Sequence, residues 1–128
     1  MKRLPDCLLW SSAVIFAAIG VYFLLAPERA ASSIGVHMSD ATGRTDIRAT
    51  YGGMVLGVAF FFTWAALDSK RVEAGLWSIV FVYGGLAFGR GLAIATGERP
   101  ATMMWAFLMI EAAYAGTALF YLRTMRGK

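Results

Sequence analysis

Two charged side chains stand where charge is expensive. Arg90 lies in Tyr83-Gly84-Gly85-Leu86-Ala87-Phe88-Gly89-Arg90-Gly91, and Glu111 lies inside the apolar run from Ala101 to Leu122. An isolated charge in hydrocarbon is costly, so each of these groups calls for a partner. Arg90 precedes the end of its run at Ala95 by five residues, and Glu111 follows Ala101 by ten. On antiparallel helices these positions lie about 7–8 Å and about 15 Å from the same membrane boundary. Two long side chains facing each other can span that offset.

Three kinds of chemistry fit such a pair. It can fix helix register as a buried ion pair. It can present an arginine to an anionic or polar headgroup. Or the carboxylate can carry a proton or cation, a role that a close guanidinium opposes because it favours the charged form. Helical phase puts Tyr83, Leu86, Ala87 and Ile94 on the face of Arg90, and Phe107, Leu108, Tyr114, Ala115 and Ala118 on the face of Glu111. Tyr83 and Tyr114 both fall near the midplane, where either phenol is able to hydrogen-bond the carboxylate. Arg48 falls at the outer end of the preceding apolar run, with Tyr51 and Gly52 on its face. The candidate site therefore comprises Arg48, Tyr51, Tyr83, Arg90, Glu111 and Tyr114.

Glycines surround these groups. Tyr51-Gly52-Gly53-Met54-Val55-Leu56-Gly57 and Tyr83-Gly84-Gly85-Leu86-Ala87-Phe88-Gly89 share the form YGGxxxG. The Gly53/Gly57 and Gly85/Gly89 spacings put small residues one turn apart, which lets a second backbone approach. Gly52, Gly53, Gly57, Gly85 and Gly89 are accordingly expected to pack helices. The alternative is a groove that admits a flat ligand or lipid tail.

No other constellation carries chemistry. Cys7 is the single cysteine, so it forms neither an internal disulfide nor a cysteine metal site, and it reads as a buried packing residue. His37, the single histidine, falls in a polar loop. No metal set, phosphate loop or serine–histidine–acid arrangement is present, and no cofactor is implied. Met103, Met104 and Met109 read as packing residues. An enzymatic role is disfavoured because nothing supplies a nucleophile.

The elements that must position the pair are apolar helices. Hydrophobic residues make up 59% of the chain and charged residues 16%, which points to a membrane protein and away from a soluble domain. The net charge of +4 gathers at the ends of apolar runs, so it reads as a topology signal and excludes a nucleic-acid surface. Spans are expected at 7–26, 49–67, 74–95 and 101–122, making one all-α domain over 1–128, a bundle of four transmembrane helices. The first run is expected to remain as an uncleaved helix, since it is longer than a signal core and lacks a clean small-x-small site.

Between the first two spans, Pro27 suits a helix start, and Ala30, Ala31, Ile34 and Met38 form a weak apolar stripe expected on the membrane surface. Gly43 is expected to end that segment, and Thr45 to cap the next helix. One side of the bundle collects Lys2, Arg3, Lys70, Arg71, Arg123, Arg126 and Lys128, and the other collects Arg29, Arg44, Arg48 and Arg99. The richer side should be cytoplasmic, which places both termini inside and the protein in the inner (plasma) membrane.

Pro27 after the first run, Asp46-Ile47-Arg48-Ala49-Thr50-Tyr51-Gly52-Gly53, Gly89-Arg90 and Glu111 together resemble the bacterial domain of unknown function 4345 family. The resemblance covers nearly the whole chain and implies a four-span integral membrane protein without an established activity or a catalytic set. The positions matching its pattern are Arg48, Tyr51, Gly52, Gly53, Gly89, Arg90 and Glu111. A looser similarity joins the four-span scaffold proteins of eukaryotic sterol synthesis, which also place an arginine before an aromatic–glycine pair. The leading expectation is non-enzymatic binding of a membrane lipid or of another membrane protein. The alternative is a small proton- or ion-coupled transporter working as a homo-oligomer.

Overall fold

The computed structural model describes residues 3–126, and their regular structure is helical throughout. Lys2 and Lys128, counted above as topology charges, lie outside the described residues. The helices are α1 (Arg3–Leu25), α2 (Pro27–Ser33), α3 (Ala41–Ile47), a π-helical stretch (Arg48–Met54), α4 (Val55–Ala66), α5 (Val72–Ala95) and α6 (Thr102–Arg126). Four segments are long and apolar enough to cross a membrane: Leu4–Leu25, Ala41–Ala66, Val72–Ala95 and Thr102–Met125. Their outward faces stay apolar, with Phe81, Phe88, Met109 and Phe120 each 65% or more exposed. Such a surface is unfavourable in water and at home in lipid. The chain is a multi-pass membrane protein.

Local chemistry sets the breaks. Ala26 leaves the helical region (φ −134°, ψ 60°) because Pro27 follows it, and Pro27 then opens α2. Gly35, at φ +79°, ends that segment in the left-handed region that glycine occupies without strain. Asp68 makes the next turn, its carboxylate accepting from Lys70 N–H at 2.9 Å. Gly97, at φ +103°, closes α5, with Glu98 N–H donating to the Ala93 carbonyl at 3.1 Å.

The chain divides into two compact units, one of residues Trp10–Trp64 and one of the residues up to Leu9 with those from Ala65 onward. In the first unit Gly20 admits the backbone of Gly52 and Leu56, and Gly52 receives Leu24. Phe16 meets Phe62 edge-on at 5.5 Å, and Phe23 stacks on Tyr51 at 5.1 Å. In the second unit α5 and α6 form an antiparallel hairpin. Gly75 there accepts the Leu9 and Ala65 side chains.

Several expectations are corrected. The second long helix begins at Ala41, because Asp40 caps it by accepting from Gly43 N–H at 2.9 Å. Thr45 is therefore inside the helix and turns its hydroxyl back to the Ala41 carbonyl. Gly43 lies in the first turn of α3, and the stop that it was expected to supply comes at Gly35. Ala30 and Ala31 do not lie on a membrane surface. They are fully buried with Phe23 and Ile47, and Ile34 and Met38 pack against that cluster. Cys7 is exposed, since it falls on the outward side of α1. His37 is exposed in the loop after α2.

Candidate functional site

The α5–α6 hairpin carries the deep pair. The turn at Gly97 and Pro100 is short enough to make the two helices antiparallel neighbours, so Arg90 and Glu111 approach the same level from opposite directions. Arg90 Nε lies 3.1 Å from Glu111 Oε1 and 3.0 Å from Oε2, donating to both carboxylate oxygens. The Glu111 side chain is 8% exposed and that of Arg90 is 30% exposed. The carboxylate is thus enclosed, while the cation reaches the surface of the hairpin.

The guanidinium is only partly used. Its Nη1 faces Met104 Sδ at 3.4 Å, a weak acceptor, and the Phe107 ring centroid lies 5.5 Å from Cζ. Nη2 makes no hydrogen bond among the described residues. An arginine bound to one carboxylate through its two terminal nitrogens would have spent its fork. Here the carboxylate takes the Nε side and leaves the outer edge.

Beneath the pair, Tyr83 and Tyr114 stack with ring centroids 4.7 Å apart and planes at 18°. Tyr83 is 3% exposed. The hydrogen bonds of Glu111 among the described residues go to Arg90, and the geometry that the two tyrosines show is the ring stack. The stack fills the space between the helices below the ion pair and holds their separation.

Arg48 and Tyr51 belong to the other unit. Tyr51 is engaged by Phe23, and Arg48 opens the π-helical stretch and lines a cavity with Arg29 and Arg44.

Of the five glycines expected to pack helices, only Gly52 does so among the described residues. A β-carbon at Gly57, Gly85 or Gly89 would meet nothing within 4 Å, and one at Gly53 only the Arg48 carbonyl at 3.9 Å. All four are exposed. Gly20 and Gly75 are the close-packed positions that spacing missed. Met104 was also missed as a neighbour of Arg90, although it lies two turns before Glu111 on the same face.

Gly89-Arg90 and Glu111, which form this pair, belong with Pro27 and the stretch Asp46–Gly53 to the residues that carry the family resemblance. The family described as Domain of unknown function (DUF4345) matches residues 6–122. The chain belongs to this family. The DUF4345 match takes in most or all of each of the four apolar helices and includes Arg48, Arg90 and Glu111. No curated protein and no solved structure matches the chain.

Proposed function

We propose that this DUF4345 protein is a non-enzymatic inner-membrane protein that binds a lipid-like molecule with an anionic or polar head at Arg90. The observation that supports it is the division of labour in the pair. Glu111, enclosed, takes Nε with both oxygens, and the terminal nitrogens of the 30% exposed Arg90 side chain are left without a carboxylate. Glu111 orients the arginine and offsets part of its charge, and the terminal nitrogens bind the ligand. The open faces at Gly85 and Gly89 give an acyl chain room along α5. Both termini lie in the cytoplasm on this reading, following the basic residues at the loop ends.

The test is native mass spectrometry of the full chain released from detergent after purification from its membrane. Wild-type protein is expected to retain a bound lipid-like adduct, and Arg90→Gln to reduce its occupancy about tenfold, the loss of one charge-assisted contact. Equal adducts on both proteins would end the reading.

A further inference from the structure

A second basic cluster lies wholly within the unit Trp10–Trp64, and it does not depend on the reading of Arg90. Leu25, Ala26, Pro27, Glu28, Arg29, Arg44 and Arg48 line an open cavity of about 640 Å³. That volume is ordinary for a small-ligand site. Three of the lining residues are arginines brought from two separate segments. Arg44 and Arg48 stand one turn apart across the junction between α3 and the π-helical stretch, and Arg29 comes from α2. A π-helical segment is uncommon and frequently sits at a functional site.

The charges do not balance. Glu28 is the cavity's one carboxylate, and it is bound to Arg44. Arg29 and Arg48 make no ion pair or hydrogen bond among the described residues. Arg29 and Arg48, both exposed, line the open cavity without a carboxylate partner, which favours an anion there. Guanidinium groups suit phosphate oxygens in particular, since their forks match its geometry. One of the lining residues is Leu25, the last residue of the first membrane-crossing segment, and it is 79% exposed. That is where the hydrocarbon of a bilayer gives way to its headgroups.

We propose that Arg29, Arg44 and Arg48 form a binding site for a phosphate ester. The group is supplied either by an anionic lipid, with its acyl chain passing Leu25, or by a soluble ester. Glu28 tempers the site by occupying Arg44.

The experiment uses the full chain carrying Arg90→Leu with Glu111→Leu, which removes the Arg90 site without stranding the carboxylate, so that failure of the Arg90 reading leaves this one testable. One arm places it in nanodiscs of phosphatidylcholine doped with spin-labelled phosphatidylglycerol, and the other titrates glycerol 3-phosphate by calorimetry in detergent. Binding in the first arm alone identifies a lipid source, and binding in the second identifies a soluble ester. In whichever arm binds, adding Arg29→Gln and Arg48→Gln should weaken binding about tenfold or more. Glu28→Gln, which removes only the competing carboxylate, should strengthen it about threefold. Helicity and unfolding midpoint are followed alongside. Binding in neither arm overturns the proposal. So does Arg29→Gln/Arg48→Gln binding that matches its parent, or an effect of the arginines on unfolding alone.

Discussion

Removing either partner of the Arg90–Glu111 pair should not cost the same. The Glu111 side chain is 8% exposed and that of Arg90 30%. Arg90→Leu therefore strands an enclosed carboxylate, and the expected loss is about 3 kcal/mol, the lower end of the range for breaking a buried pair. Glu111→Gln leaves a partly exposed arginine on a long stem that can carry its head toward the polar boundary, at a cost of about 1 kcal/mol. The doubly substituted chain, Arg90→Leu with Glu111→Leu, leaves no charge behind, and it should lie within about 1 kcal/mol of wild type. The single losses sum to about 4 kcal/mol, so the pair should show a coupling of about 3 kcal/mol. Reversible unfolding of purified protein in mixed micelles with rising dodecyl sulfate, followed by far-ultraviolet circular dichroism, measures all three. Two results would refute the reasoning: single losses that add to within about 0.5 kcal/mol in the double variant, or Glu111→Gln proving the more damaging single change.

Two further predictions come from the same assay. Gly75→Ala should destabilise by about 1–3 kcal/mol, the cost of overpacking, because its β-carbon would lie 2.7 Å from that of Ala65. Gly20→Ala should behave likewise against the backbone of Leu56 at 2.9 Å, whereas Gly89→Ala should be neutral or raise stability by up to about 1 kcal/mol through helix propensity. Asp40→Ala should cost about 1 kcal/mol and speed amide exchange in the first turn of α3, and Asp40→Asn should restore most of it.

The second long helix shows where sequence reading reached its limit. The apolar character of residues 49–67 was plain, but the helix starts at Ala41, through a stretch that hydropathy scores as polar. A cap side chain decides that start, and Asp40 was one of several polar residues able to serve. The segment after Pro27 misled for a related reason. Its small apolar stripe was visible, but whether alanines face lipid or protein depends on what arrives opposite them. Here Phe23 and Ile47 arrive, one from α1 and one from the end of α3.

The deep pair was more legible. Arg90 and Glu111 stand out because a charge in an apolar run has few physical solutions, and one short turn makes their helices neighbours. What the residues did not carry was the orientation of the fork. That orientation follows from Met104 and Phe107 beside the guanidinium and from the stacked tyrosines beneath it.

By itself the sequence determined that the chain spans a membrane with apolar helices and that two charges within them needed an answer. Both follow from local sums, the transfer cost of a run and the cost of a buried charge. The tertiary structure alone decided which glycines lie against a neighbour. Gly20, Gly52 and Gly75 do, and Gly57, Gly85 and Gly89, equally small and equally regular, do not. A glycine face permits close approach without compelling it, and the approach itself is settled by the fit of whole helices.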